Sequence, residues 1–177
     1  AVAGTLHTPG VTLSDDTTLT VAGNLDAGSG TAAAITGSAG VNTVNIIGTA
    51  LATGDLGAGN DVLDVRGTLD TAGGVFALGD GDDSFVVHDG TVVQGTVDGG
   101  AGVDTRVYDI NLTADLGALV NFEGVTKTGT GVLNINGPAT TNLQQVSVLG
   151  GTLNIAPNAT VAAIAGGPLD ILVAAGA

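Results

Sequence analysis

An internal repeat is clearest in the segment Leu56-Gly57-Ala58-Gly59-Asn60-Asp61-Val62-Leu63-Asp64-Val65. Its glycines suit a tight turn, an acidic residue follows the turn, and the last four residues are prone to form a β-strand. The same pattern recurs at positions 37–46, 78–87 and 99–108, where Asn42, Asp83 and Asp104 take the place of Asp61. Successive copies therefore follow one another at a nearly constant interval, as in proteins built from stacked repeats.

The repeat period, about 21 residues with short strands and glycine turns, is typical of a chain that coils with three short strands in each rung. Repeats of paired helices need about 33 residues or more, and the leucine and asparagine pattern of leucine-rich repeats is missing. Apolar residues alternate with Thr, Asn, Asp and Ser, as when one strand face fills a core. We therefore predict an all-β fold, a right-handed parallel β-helix with about 21 residues per rung and roughly eight rungs.

Ten segments have the composition and the alternation of strands. They are residues 17–21, 41–47, 62–65, 84–87, 91–93, 105–110, 132–135, 145–149, 152–155 and 169–173. No linker or shift in composition divides the chain. We therefore predict one β-helix domain over residues 1–177, either a complete subunit or a fragment of a longer protein.

Charge and composition exclude several classes of function. The chain has a net charge of −14, with 3 Lys and Arg against 17 Asp and Glu. Nucleic-acid binding requires clustered basic residues, and an anionic membrane surface would repel this chain. Since the chain has no Cys, it has neither a disulfide framework nor a thiolate metal site. The apolar tail that starts at Val161 is too short and too interrupted for membrane insertion.

A later part of the chain resembles a known family. The segments that carry the resemblance are Thr126-Lys127-Thr128-Gly129-Thr130-Gly131-Val132-Leu133-Asn134-Ile135-Asn136-Gly137 and Leu149-Gly150-Gly151-Thr152-Leu153-Asn154-Ile155, with Phe122-Glu123 before them. They are similar to the strand repeat of bacterial autotransporter passenger domains, which include adhesins of the AIDA and pertactin type. The resemblance covers residues 122–155. It implies a β-helix exported to the surface of a Gram-negative cell through a C-terminal β-barrel, which this chain does not contain.

Calcium is the one ligand for which the sequence offers candidate residues. Glycine turns that contain Asp resemble single copies of the calcium-binding nonapeptide of RTX proteins, in which carbonyl and carboxylate oxygens hold a hard cation. The copies here lie a full repeat apart rather than in tandem, so a cation would have to bridge Asp side chains of neighbouring rungs. The candidate ligands are Asp61, Asp80, Asp82, Asp83 and Asp104.

The alternative interpretation of these Asp residues is structural. An Asp can close its turn by accepting a hydrogen bond from a backbone N–H two residues further on, while its charge remains solvated. Asn42 favours this alternative, because an amide fills the same role without a charge.

Residues suited to catalysis form no motif in the sequence. Asp64, Asp83, Asp89 and Asp109 could supply a carboxylate pair, but acidic residues occur in most turns, so such pairs arise by chance. His7 and His88 are isolated, which indicates surface or turn positions. We expect no enzymatic activity. The few aromatic side chains are expected to fill the core or cap a rung, and Asn134, Asn136 and Asn154 are expected to form side-chain ladders or turns along the stack.

Two functions remain open at this point. The first is an extracellular, non-enzymatic adhesin or stalk, whose partners are surface molecules of a host or of other bacteria, or a second copy of the chain. The second is a self-assembling extracellular fibre or matrix subunit, since each end of a β-helix is an unpaired strand edge.

Overall fold

The computed structural model describes residues 1–136, 140–163 and 168–174. Within these residues the regular structure is made of β-strands, and no helix occurs there. The strands are, in chain order, β1 (Thr5–His7), β2 (Gly10–Thr12), β3 (Thr18–Val21), β4 (Asn24–Asp26), β5 (Ala33–Ser38), β6 (Thr43–Ile46), β7 (Thr49–Gly57), β8 (Val62–Val65), β9 (Thr68–Asp80), β10 (Ser84–His88), β11 (Val92–Ala101), β12 (Thr105–Asp109), β13 (Thr113–Asp115), β14 (Gly124–Thr128), β15 (Val132–Ile135), β16 (Thr140–Leu143), β17 (Gln145–Val148), β18 (Thr152–Ile155), β19 (Val161–Ala163) and β20 (Asp170–Val173).

One long sheet runs the length of the molecule. It contains eight strands in the order β3, β6, β8, β10, β12, β14, β17 and β20, and each neighbour is parallel. Paired positions in successive strands lie one repeat apart in sequence, as in the series Thr18, Thr43, Val62, Ser84, Thr105, Gly124, Gln145 and Asp170. The predicted parallel β-helix with about 21 residues per rung is therefore confirmed.

The other sides of the coil are built from shorter sheets. A seven-stranded sheet ends at β11, a three-stranded sheet contains β13, β15 and β18, and β16 pairs with β19. The 13-residue strand β9 covers two sides of its rung, because its pairing with β11 shifts register between the stretches 68–70 and 75–80. The seven-stranded sheet therefore ends at β11, and the three-stranded sheet begins at β13, so the wall of the coil is interrupted between these two strands.

The core lies between these walls and is filled by the inward residues of most strands, whereas β1 and β20 at the two ends are exposed. Along the long sheet, register and burial define two inward rows. The first row contains Leu19, Val44, Leu63, Phe85, Arg106, Val125, Val146 and Ile171, and the second contains Val21, Ile46, Val65, Val87, Tyr108, Lys127, Val148 and Val173. The aromatic residues Phe76, Phe85, Tyr108 and Phe122 are buried, as predicted. Aliphatic side chains stacked at the strand spacing make up most of this thin core.

The repeated glycines are explained by how closely the rungs approach one another. Gly57, Gly79 and Gly100 occupy equivalent positions in three rungs, with φ of +95°, +121° and +109°. A Cβ atom on Gly79 would lie 2.0 Å from the carbonyl oxygen of Gly57, and one on Gly100 would lie 1.9 Å from that of Gly79. Any larger residue would both strain the backbone and collide with the rung below. The glycine pattern is therefore a requirement of the fold itself.

Candidate functional site

Three of the five predicted calcium ligands stack in one column. Asp61, Asp83 and Asp104 each lie directly before a strand of the long sheet, at β8, β10 and β12. We call this set, with Asn42 before it and Glu123 after it, the acidic column. The backbone N–H of Asp61 donates to Oδ1 of Asp83 at 2.7 Å, and that of Asp83 donates to Oδ1 of Asp104 at 2.8 Å. Each carboxylate thus joins its own rung to the preceding one.

The column continues in the same manner at both ends. Asn42 donates its backbone N–H to Oδ1 of Asp61 at 2.6 Å, and Asp104 donates to Oε2 of Glu123 at 2.9 Å. Oδ1 of Asn42 accepts the backbone N–H of Ser38 at 2.9 Å. The acidic column is therefore a side-chain-to-backbone ladder that satisfies the turn N–H groups of consecutive rungs.

The three aspartates are buried, with exposed fractions of 1 %, 2 % and 0 % for Asp61, Asp83 and Asp104. Among the described residues, the Oδ2 atom of each has no hydrogen-bond partner. Burial raises the pKa of Asp61, and it raises the pKa of Asp83 and of Asp104 to about 6. Repulsion from neighbouring carboxylates contributes to the rise in the pKa of Asp83 and Asp104, while the backbone hydrogen bonds oppose it.

The structural interpretation of these Asp residues was wrong in two respects. Their carboxylates are buried rather than solvated, and they accept hydrogen bonds from the preceding rung rather than from an N–H two residues further on. The reason is the coil itself, which places a turn of another rung closer to the carboxylate than the residue's own turn.

The other two predicted ligands lie apart from the column. Oδ1 of Asp82 accepts the backbone N–H of Val103 at 2.9 Å, and the backbone N–H of Asp82 donates to Oδ1 of Asn60 at 3.0 Å, which forms a second, exposed ladder. Asp80 is exposed at the end of β9. In the described part of the chain, no three His, Asp or Glu side chains gather as metal ligands. Calcium binding by Asp61, Asp80, Asp82, Asp83 and Asp104 stays a prediction.

A second cluster of charges lies on the outer face of the long sheet. His88 stands between two carboxylates of neighbouring rungs, with Nε2 at 3.1 Å from Oδ1 of Asp64 and Nδ1 at 3.3 Å from Oδ2 of Asp109. Arg66 contacts the same Asp64 through two hydrogen bonds of 3.2 and 3.1 Å. His7 also has a carboxylate partner, Asp26. The description of the two histidines as isolated was therefore wrong, because their partners lie one rung away.

Amide side chains form a third, exposed ladder on the three-stranded sheet. Nδ2 of Asn134 donates to Oδ1 of Asp115 at 3.0 Å, and Nδ2 of Asn154 donates to Oδ1 of Asn134 at 2.9 Å. Asn136 also donates to Asp115, at 2.8 Å. The predicted ladder is confirmed for Asn134 and Asn154, and Asn136 joins it only through Asp115. It makes this face of the coil polar and regularly spaced.

Two basic residues occupy inward positions that sequence reasoning missed. Lys127 is fully buried, and its Nζ donates to the carbonyls of Ile110, Thr128, Gly129 and Gly150, with burial lowering its pKa. Arg106 lies between aromatic rings of its own and the preceding rung. The inward position of Arg106 could have been predicted from the repeat. The buried residues Leu63 and Phe85 lie two residues after Asp61 and Asp83, and Arg106 lies two residues after Asp104.

Comparisons with known protein families, curated proteins and solved structures found no match to this chain. Across the described ranges, no helix is both long and apolar enough to cross a lipid bilayer.

Proposed function

We propose that this chain is a non-enzymatic stalk or adhesive module of a bacterial surface protein, located outside the cell. The observation that carries the proposal is the uninterrupted eight-stranded parallel ladder. Such a ladder gives a rod roughly 35–40 Å long at about 4.8 Å per rung. A rod held by backbone hydrogen bonds along its axis keeps a binding surface at a fixed distance from the cell.

The resemblance of residues 122–155 to autotransporter passengers supports the same proposal. It implies export and display through a segment outside this chain, or release as a secreted protein. The exposed amide ladder of Asp115, Asn134 and Asn154 supplies a flat polar face suited to weak contacts repeated many times. With a net charge of −14, the expected partners are neutral or basic surface molecules, or a second copy of the chain through its polar face.

The adhesive function is tested by displaying the chain on a bacterium that does not aggregate. We expect cells that carry the chain to settle from suspension and bind surfaces faster than cells that carry the anchor alone. A Gly79→Val chain on the same anchor is the matched control. This change prevents correct folding, because it places a side chain against the backbone of Gly57 in the preceding rung. Equal settling and surface binding by all three strains would refute the adhesive function.

A second candidate function is that of a fibre subunit, and the strand β20 favours it. This strand has a hydrogen-bonded neighbour on one side, β17, and its Ile171, Leu172 and Val173 are 56 %, 53 % and 61 % exposed. An exposed apolar edge strand is a template for pairing with another chain. In this case the partner would be a second copy stacked end to end.

Sedimentation velocity over a range of protein concentrations distinguishes the two functions. A fibre subunit should grow in size with concentration, and Ile171→Lys should abolish the growth because it places a charge in the inward row. Leu172→Lys is the matched control, since this residue lies next to Ile171 on the outer face. A size that does not change with concentration would refute the fibre function and leave the stalk.

A further inference from the structure

The first inward row contains one charged residue in an otherwise apolar series. Arg106 stacks in register between Phe85 of the preceding rung and Val125 of the next. Its guanidinium carbon lies 4.8 Å from the centre of the Phe85 ring and 5.2 Å from that of Tyr108. Burial lowers the pKa of Arg106, yet an arginine side chain keeps its charge in a protein. The side chain is half-buried, and a cation that is partly removed from water is costly unless it is paired.

The described part of the chain supplies no carboxylate partner for this cation. Arg106 is in no ion pair there, although the chain carries 17 acidic residues. Its Nη1 donates to the carbonyl of Ala118 at 2.9 Å. Its Nε is buried and, among the described residues, has no hydrogen-bond partner. Nη2 also has no partner there and, unlike Nε, it is accessible, so Nη2 is the donor that a ligand can reach.

A cavity lies beside the guanidinium. It has a volume of about 140 Å³, and its lining includes Phe85, Gly95, Val97, Arg106 and Gly117 but no acidic residue. Phe85 and Val97 form a buried floor, whereas Gly95 and Gly117 are exposed at the rim. The volume is well above the roughly 10–15 Å³ that a single water molecule needs.

The mouth of this cavity coincides with the break in the wall of the coil. The strand β11 changes register between Gln94 and Thr96, and Gly95 in this bulge has a φ of +104°. On the opposite side, residues 116–119 belong to no strand, and Val120 forms an isolated bridge with Asp98. Bulges often lie next to functional sites because they redirect the chain and interrupt pairing. Here the bulge leaves an opening that leads to Arg106.

We propose that this cavity is a binding site for the carboxylate group of a small anion, held by Nη2 of Arg106. The ligand supplies the negative charge that the described part of the fold does not place beside the half-buried guanidinium. The apolar floor excludes water from the contact, which strengthens the pairing. The net charge of −14 opposes the approach of an anion, so affinity is expected in the millimolar range.

The chain contains its own reporter for this site. Tyr108 is the single tyrosine and there is no tryptophan, so tyrosine fluorescence reports on the ring next to Arg106. Sodium acetate is titrated at constant ionic strength, with acetamide as the neutral probe of the same size. We expect a saturable fluorescence change with acetate, half complete on the order of 1–10 mM, and at least a tenfold weaker response to acetamide.

Two variants test whether the fluorescence change with acetate comes from binding at Arg106. Arg106→Met should weaken acetate binding at least tenfold, whereas Arg66→Gln, at the exposed arginine that pairs with Asp64, should leave it within twofold. Circular dichroism and thermal melting show whether each variant is folded. If Arg106→Met does not fold, the difference between the fluorescence responses of the unaltered chain to acetate and to acetamide tests the proposal. Equal responses to the two probes, no saturable response to acetate up to about 100 mM, or unchanged binding by folded Arg106→Met would overturn the proposal.

Discussion

At Asp83, burial and a backbone hydrogen bond act on one carboxyl group in opposite directions. Burial raises its pKa to about 6, while the N–H of Asp61 lowers it. A carboxyl group whose pKa is higher in the folded chain than in the unfolded one binds its proton more tightly when folded, so stability falls as the pH rises between the two values. For Asp83 and Asp104 this window runs from the ordinary value of 3.8 to about 6.

The acidic column should therefore make the folded chain less stable at pH 7 than at pH 5. Asp83→Asn keeps an Oδ1 acceptor for the N–H of Asp61 and removes the buried charge; Asn42 is an uncharged acceptor of this kind, since its Oδ1 accepts the N–H of Ser38. We expect this variant to melt higher than the unaltered chain at pH 7, with roughly 2–4 °C for each kcal/mol gained, and to depend less on pH. The measurement is thermal melting followed by circular dichroism between pH 4 and pH 8.

Asp89→Asn provides a control with the opposite sign. Hydrogen bonds from the backbone N–H groups of Asn111 and Leu112 lower the pKa of Asp89, so its contribution to stability is lost only as the pH falls below the ordinary range. Loss of this charge should lower the melting temperature at pH 7. If both variants shift melting in the same direction, burial is not the cause of the effect at Asp83.

The same column tests the calcium hypothesis. A cation bound by Asp61, Asp83 and Asp104 requires ionised carboxylates, so millimolar Ca²⁺ should raise the melting temperature at pH 7 and have less effect at pH 5. Asp83→Asn should reduce the calcium-dependent rise. If millimolar Ca²⁺ does not shift the melting temperature at pH 7, calcium binding by this column is refuted.

At the scale of the strand, β9 shows two different uses of glycine. Gly73 has a φ of +79° at the bend and would present a Cβ atom to open space. Gly79 has a φ of +121°, and its Cβ atom would lie 2.0 Å from a backbone oxygen of the neighbouring rung. The first glycine is required for the turn alone, and the second is also required for the stacking of rungs.

This difference predicts that the changes Gly73→Ala and Gly79→Ala lower the free energy of unfolding by different amounts. Gly73→Ala should lower the free energy of unfolding by about 1–2 kcal/mol, the cost of a left-handed backbone conformation. Gly79→Ala should lower it by about 3 kcal/mol or more, because the rungs must also move apart. Urea denaturation of the two variants measures both values. Equal losses would mean that the close approach of Gly57 and Gly79 is not maintained in solution.

At the scale of the whole molecule, each rung contacts mainly its neighbours. Stability is then close to a sum of rung and interface contributions, as in other repeat proteins. The strands β8, β10 and β12 are hydrogen-bonded on both sides, whereas among the described residues β20 pairs with β17 alone. Most inward residues of the central strands are buried, and those of β20 are exposed. The structure therefore predicts a gradient of local stability along the coil.

Native-state hydrogen exchange measures this gradient. We expect the slowest exchange at the backbone N–H groups of β8, β10 and β12 and the fastest among the strands of the long sheet at β20, since opening an end rung breaks one interface rather than two. Uniform protection along the long sheet would indicate that the coil unfolds as a single unit.

Sequence reasoning predicted most of the fold because the determining interactions repeat at a nearly fixed separation. The spacing of Asn42, Asp61, Asp83 and Asp104 reports the length of a rung, and β8, β15 and β18 have the predicted bounds. Several strands were missed, among them β5, β14 and the long strands β7 and β9. The glycines and polar residues of β7 and β9 interrupt the alternation of a strand, and rung-to-rung hydrogen bonds hold these two strands extended despite that composition.

The sequence by itself determined the period, the parallel coil and the asparagine ladder, because each depends on residues that recur at matching positions in successive rungs. The tertiary structure decided whether a given charge meets water or the core. It buried the carboxylates of the acidic column, placed His88 between Asp64 and Asp109, and turned Arg106 inward beside a break in the wall. The physical reason is that side-chain solvation depends on neighbours a full rung away in sequence, which only the stacking of rungs brings into contact.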